Sequence, residues 1–562
     1  MARPDLPADR ILLGDVVTLD GKGTRAEAIA VRDGLIQAVG TREAVLRRRD
    51  AETRLDDFGK AAIIPGFNDT HAHMDTEGMK LVHPPLAGAR SVADVVACIA
   101  ELARTRPKGS WIVTMPVGEP PFYFGGPVAA LAERRMPTRQ ELDKAAPDHP
   151  VCILPPSGYW GKPPCYMALN TLGLKLNTID RNTKPRLPNV EIAKDPSGEP
   201  TGVFVDHNPR ESAQLDLMPA VPRFTFEDRK KAVAEAIRLY HTKGTTSVYE
   251  GHGCTPDVIA IYRQLWESGA LTMRVGMVVA PPWESPADAE PIMRDWLTHA
   301  RGRGLGDAKL RISGVHINQG GDPLAAKLAR QFGNDTGYWS HLWQANDTPQ
   351  FEALLDLAAK YDLRVHTISS TMKQMAEVMP VLERIGAKHD LRGRRWVVEH
   401  VSWSQPAILD TFKRLGIGVT LIPSHHLWKG GAQFFDLPEP DAELVVPAKP
   451  LMERGVPVAA GTDNTPYDPL TVMRALMLRQ ERTTGRTIGA GSRLTPEQAL
   501  ATLTCNGAWF TFEENTKGRL LPGYLADCAV LSENPLDVPP QSYDSIACRA
   551  TMVGGDFVYR AS

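Results

Sequence analysis

Two histidines one residue apart, His71 and His73, stand in "PGFNDTHAHMD" just after the apolar run "AAII" and a Pro-Gly break. Residues i and i+2 of an extended segment point to the same side, and two imidazoles on one side can ligate a divalent ion. Alone, such a pair is equally two surface histidines beside a turn. Further candidates follow, each ending a short apolar run. They are Glu250 and His252 in "TTSVYEGH", His316 in "LRISGVH", His366 in "LRVHT" and Glu399 with His400 in "RWVVEH". His425 with His426 follows "IGVTLIPS", and Asp463 ends "VPVAAGTD". Each has an ordinary reading, as a hydrogen-bonded core histidine or an aspartate capping the next helix. The succession H-x-H, H, H, D on successive run ends joins them into one site. Imidazole nitrogen and carboxylate oxygen together suit zinc and similar divalent ions.

These runs must be strands for the side chains to converge. Beginning with "AAIIPGFNDTH" and "TTSVYEG", then "MRVGMVVA" and on to "VPVAAGTD", there are eight, separated in the middle of the chain by amphipathic stretches such as "FEALLDLAAKYD". Alternation of this kind predicts an α/β fold with a parallel sheet, and eight strands close a TIM barrel whose chemistry sits at the strands' C-terminal ends. Short Val- and Ile-rich strands with turn residues also occur at both chain ends, as in "RILLGDVVTLD" and "IACRATMVGGDFVY". Each end is too thin for a stable sheet, so residues 1–62 and 513–562 are expected to form one small β-sandwich, with the barrel over 63–512. Between the first two barrel strands, roughly residues 84–243, lies a stretch rich in proline and aromatics ("PPFYFGG", "PPSGYWGKPP"). It is too long for a structureless loop and is expected to be an inserted subdomain overhanging the barrel mouth.

Composition narrows the partner. The chain has 562 residues, and its 64 basic and 66 acidic side chains nearly cancel, which favours a small-molecule substrate over nucleic acid or an anionic membrane. No apolar stretch reaches the roughly 18 residues of a membrane span, and the N-terminus lacks a signal-peptide core. The seven cysteines are scattered without a C-x-x-C pair, the usage of reduced thiols in a cytoplasmic protein. A homodimer is compatible with all of this.

In combination these motifs resemble the metal-dependent amidohydrolase superfamily, in the branch that includes N-substituted formamide deformylases. "IIPGFNDTHAHM" looks like its first-strand signature, "RWVVEHVSW" its sixth strand and "AAGTDNTP" its eighth. "MPTRQELDKAAPDHPV" and "PSGEPTGVFVD" resemble its insertion, and "LTPEQALATLTCNGAWF" with "KGRLLPGYLADCAVLSENP" its C-terminal closure. Three departures stand out. His316 occupies the place of a lysine able to bridge two metals as a carbamate, "HTISS" lacks an aspartate common after strand five, and Tyr159 and Trp160 in "SGYW" replace an expected histidine.

The resemblance implies hydrolysis of an amide-type carbon-nitrogen bond (N-acyl, N-formyl or aryl amide) by water activated on a divalent metal, zinc first, with one ion favoured over two. His71, His73 and His366 are the expected ligands. Asp463 both contacts the metal and moves the proton. His400 is either a second-metal ligand or the group that orients the water or carbonyl oxygen, and His316 a terminal ligand or a group behind the ligands. Tyr159, Trp160, Trp403, His425, His426 and Trp428 are candidates for a substrate pocket. The alternatives are deamination, cyclic-amide opening or non-hydrolytic carbon-carbon cleavage in the same site, and a metal-free scaffold.

Overall fold

The computed structural model describes residues 6–119, 123, 126–156, 163–208, 212–331 and 343–561, which form two compact units. The first comprises residues 1–74, 234–320 and 346–562, and the second 75–233 and 321–345.

The first unit holds the barrel. Its eight strands are Phe67–Ala72, Thr245–Cys254, Arg274–Val279, Leu310–His316, Val365–Ser369, Val397–His400, Gly418–Leu421 and Val458–Ala460. They are called barrel strands 1 to 8 below. Neighbours pair in parallel in chain order. The circuit nearly closes where Asp463, just past strand 8, donates its backbone N–H to the His71 carbonyl at 2.8 Å. All eight expected runs are strands of this barrel, as a parallel sheet covered on both faces demands of near-continuous apolar segments. Strands 1, 2 and 5 to 8 are buried along their whole length. Intervening helices start where the sequence supplies caps. Asp347 accepts from Gln350 N before Thr348–Lys360, which carries proline in its first turn. Pro406–Leu415 ends on Gly416 at φ 69°, a left-handed position glycine adopts without strain.

The chain ends share one seven-stranded sheet. It contains Arg10–Val17, Arg25–Arg32, Leu35–Gly40 and Arg54–Pro65 from the start, and Cys528–Leu531, Cys548–Val553 and Asp556–Arg560 from the end. The strand Arg54–Pro65 joins the halves, parallel to Arg10–Val17 and antiparallel to Cys528–Leu531. The sheet curls on itself around Leu12, Ile29, Ile63, Val530 and Met552, and its two end hairpins meet where Gly34 abuts Gly554. One detail differs from the sequence reading. The apolar "AAIIP" belongs to this sheet, and the barrel strand begins only after Gly66, because Ala62 to Pro65 take Leu531 to Cys528 as partners.

The second unit has its own five-stranded sheet, in the order Ile112–Thr114, Val151–Ile153, Cys165–Leu169, Pro200–Asp206, Val190–Lys194. Val95, Ile99 and Leu142 pack against Ile153 and Ala168 in one cluster, while Met167, Leu169 and Phe204 pack with Ala325 and Leu328 in another. The last two come from a helix, Pro323–Gln331, in the second excursion of the chain. Sequence texture missed that excursion, since one short helix after a strand is also what a barrel contains. Among the described residues no helix is long and apolar enough to cross a membrane.

Candidate metal centre

The C-terminal ends of barrel strands 1, 2 and 6 and the turn after strand 8 bring together His71, His252, His400 and Asp463, whose ligand atoms lie within 4.8 Å of one another. All four are buried. The His71 ring centroid lies 4.7 Å from that of His252 and 4.8 Å from that of His400, and the His252 and His400 rings stack at 5.4 Å. His71 Nε2 is 3.8 Å and His73 Nε2 3.2 Å from Asp463 Oδ1.

Local sequence explains how this end is held. Asp69 accepts hydrogen bonds from the Thr462 N–H (2.9 Å) and hydroxyl (2.6 Å) and from the His71 N–H (3.1 Å). Asn464 reads the His73 backbone in both directions, accepting from its N–H and donating to its carbonyl. The two residues thus stitch strand 1 to the turn after strand 8 and fix the histidine pair against Asp463. Asp463 and Asn464 have φ of 50° and 54°, and His400 and Val401 of 75° and 36°. Left-handed conformations in non-glycine residues are uncommon and strained, and they persist where surrounding bonds over-determine them, as at functional sites. Glycines make the close approach possible: a Cβ on Gly251 would lie 2.5 Å from His71 Nε2, and one on Gly461 2.5 Å from His71 Cβ.

The electrostatics keep these imidazoles neutral. Burial pushes the His71 pKa well below the ordinary range, and His400 and His73 push it further. Burial lowers His400 to about 4 against the opposing pull of Asp463, and His316 to about 3 with help from His73. His366 is held well below the ordinary range by burial and by Arg364. A neutral imidazole offers a lone pair to a cation without first losing a proton. Among the described residues, both His71 ring nitrogens, His400 Nε2 and both Asp463 oxygens have no hydrogen-bond partner. Buried polar atoms are rarely left so. The neutral His71 and His400 rings and the Asp463 carboxylate, with these atoms open and the His252 ring beside them, fit a divalent cation.

The remaining expected residues are scattered. His366 and His316 lie outside the four-residue group, around Glu399: His366 Nδ1 is 2.9 Å from Glu399 Oε1 and His316 Nδ1 4.0 Å from Oε2. His425 and His426 sit on a π-helical turn, Ser424–Lys429, with His426 Nε2 3.1 Å from His400 Nδ1. Trp403 donates its indole N–H to the Asp441 carbonyl (3.1 Å), and Trp428 lines a separate cleft with Arg474, Leu478 and Arg482. Tyr159 and Trp160 lie outside the described residues. In the sequence Glu250 and His252 are strand-end candidates whose ordinary alternative is barrel-interior hydrogen bonding. Glu250 takes that alternative, accepting from the Tyr262 hydroxyl and the Met74 N–H, but His252 faces the cluster. The signal was present in its position at a strand end, two residues beyond Glu250.

Comparison with known proteins identifies the family. The model of the amidohydrolase family matches residues 59–559. The chain is 24% identical to the putative amidohydrolase YtcJ of Bacillus subtilis over 98% of its own length and 99% of that protein's. It is 29% identical to the N-substituted formamide deformylase of Arthrobacter pascens over 35% of this chain and 34% of that one. Among solved structures, an uncharacterized metal-dependent hydrolase from Pyrococcus horikoshii is similar at 20% identity, with a TM-score of 0.66 over 95% of this chain and 99% of that one.

Proposed function

The chain belongs to the amidohydrolase family and is a metal-dependent hydrolase of non-peptide carbon-nitrogen bonds, and from that premise we propose that it cleaves N-formyl or other small N-acyl amides with one divalent ion, zinc first. The observation that carries the reading is the buried group of His71, His252, His400 and Asp463, in which the His71 ring nitrogens, His400 Nε2 and both Asp463 oxygens have no hydrogen-bond partner among the described residues. A single such group among the described residues favours one ion. Similarity to a formamide deformylase over a third of the chain supports the substrate class.

His71, His252, His400 and Asp463 would hold the ion, and His73 and His366 would be the further donors at this end of the barrel. A divalent ion there supplies a Lewis acid that brings the pKa of water toward ~7 and polarises an amide carbonyl. Asp463 accepts the proton of the attacking water at one carboxylate oxygen and returns it to the departing nitrogen, which must leave as an amine. Its backbone, pinned by the His71 carbonyl, keeps that carboxylate from swinging away. His400 is oriented from behind by His426, so its Nε2 stays turned toward the group. Burial of every member excludes bulk water, which strengthens each of these interactions.

The test is a panel of N-substituted formamides, N-acetyl amides, anilides and cyclic imides offered to metal-replete enzyme, with amine release measured directly. Formamides or N-acyl amides are expected to turn over fastest. Fastest turnover of a cyclic imide or of an amino-heterocycle would replace the proposed substrate class.

A further inference from the structure

A buried carboxylate beside the metal group has no part in the reading above. Glu399 is fully buried on barrel strand 6, next to His400. Four imidazoles turn the same nitrogen toward it. Nδ1 of His366 lies 2.9 Å away, that of His71 3.8 Å, that of His252 3.8 Å and that of His316 4.0 Å. They come from strands 5, 1, 2 and 4, so one side chain on strand 6 faces half of the barrel. His366 is held twice over, because its ring also stacks on Tyr249 at 4.8 Å and 8°. The Tyr249 hydroxyl is in turn fixed by Ser313 (3.1 Å) and by the buried Arg364 guanidinium (3.4 Å).

We propose that Glu399 is the positioning residue of the metal centre: its carboxylate takes the Nδ1 edge of His366 as a hydrogen bond and gathers the Nδ1 edges of His71, His252 and His316, which leaves their Nε2 atoms as the cation donors. The inference rests on the metal-dependent reading of the site. Burial pushes the Glu399 pKa well above the ordinary carboxylate range, against the pull of Arg364 and with a further push from Asp463, while a cation held by these histidines favours the ionised form. The ionised carboxylate only accepts hydrogen bonds, so the His366 contact then puts the proton on Nδ1 and the lone pair on Nε2. A carboxylate behind a ligating histidine fixes both ring orientation and tautomer, and losing one lowers metal affinity about 10–100-fold. His366 Nε2 has no hydrogen-bond partner among the described residues, as a donor atom held open for a cation requires.

Two measurements decide it. The first is Zn²⁺ affinity by competition with a chromophoric chelator, together with the visible spectrum of the Co²⁺-loaded protein, for wild type, Glu399→Gln and Glu399→Leu. Glutamine keeps an acceptor for His366 and leucine keeps none. The expected order of affinity is therefore wild type, then Gln about 10–100-fold weaker, then Leu weaker still, with an altered Co²⁺ spectrum in both variants. A residue that merely fills the barrel would lower the melting temperature and leave affinity and spectrum of the folded variants unchanged, and that result overturns the proposal. The second needs no Glu399 variant. In metal-free wild type with ¹⁵N-labelled histidine, at a pH high enough that imidazole is neutral and Glu399 is ionised, the His366 ring, assigned with His366→Asn, should carry its proton on Nδ1. A proton on Nε2 overturns the proposal even if both Glu399 variants fail to fold. Wild type that takes up neither Zn²⁺ nor Co²⁺ would refute the metal reading itself, and the ring tautomer would still decide what Glu399 does.

Discussion

Gly251→Ala tests the packing that gathers the ligands. The new methyl carbon would lie 2.5 Å from His71 Nε2, 2.7 Å from Cε1 and 2.8 Å from Cδ2, where ordinary contact begins at 3.4 Å. Ring and methyl must therefore part by roughly 1 Å, since no flexible chain end can absorb the clash. His71 has little room to yield. It is fully buried, and Gly461 backs so closely on it that a Cβ there would meet His71 Cβ at 2.5 Å. Overpacking of this size costs about 1–3 kcal/mol of stability, which a domain of this size survives. The site tolerates less, because metal-ligand distances hold to about 0.2 Å and a misplacement of about 1 Å near the chemistry costs on the order of 10²-fold in rate. Circular dichroism should show a folded protein melting a few degrees lower, chelator competition a Zn²⁺ affinity at least tenfold weaker, and kinetics a kcat/KM down by about 10²-fold. A folded Gly251→Ala protein with wild-type affinity and turnover would refute the close approach of His71 as the basis of the site.

Three other expectations follow from named contacts. Asp463→Asn keeps the shape and a carbonyl oxygen but cannot carry a proton, so kcat should fall about 10²–10⁴-fold while chelator competition shows most of the ion retained; a normal kcat would remove Asp463 from the proton transfer. Asp206, buried in the second unit, has its pKa raised to about 8 by burial, opposed by the Ala213 N–H and aided by Asp216. Its folded pKa exceeds the unfolded value, so the stability it contributes is complete below pH ~4 and lost as pH rises toward 8; Asp206→Asn should therefore melt at nearly the same temperature at pH 5 and pH 8, where wild type melts lower at pH 8, and parallel behaviour of the two would contradict the assignment. Truncation after Lys517 removes Cys528–Leu531, Cys548–Val553 and Asp556–Arg560, leaving Ile63 and Leu12 of the curled sheet uncovered; the product should be insoluble, and a soluble core with a cooperative melt would show that the N-terminal strands need no partner from the other end.

The barrel was legible because its strands are short apolar runs between amphipathic helices, a pattern set by burial on both faces. Local pattern does not carry partner choice, so Ala61 to Pro65, apolar like the barrel strand after it, was read with the barrel although Val530 and Leu531 claim it for the end sheet. The candidate group was legible at His71, His400 and Asp463, with His73 beside Asp463 but outside the group, because each lies at or just past a strand end and strand ends share one rim. His252 lies on the same rim, yet "EGHG" also reads as a turn, and only the stacking of its ring on His400 separates the two. Glu399 was visible as a strand-end acid, but its four Nδ1 neighbours come from residues as far apart as His71 and His366, a convergence that no local window contains. Trp428 illustrates the converse: an aromatic near two histidines in sequence turns to a different cleft, because a helical turn carries position 428 to another face than 425 and 426.

The most direct test of the central claim is turnover of one accepted amide substrate by a single preparation, before cation removal, after it and during titration with Zn²⁺. The account predicts that the stripped protein is inactive and that activity returns in proportion to added Zn²⁺, saturating near one ion per chain. Undiminished turnover by demonstrably metal-free protein would contradict it.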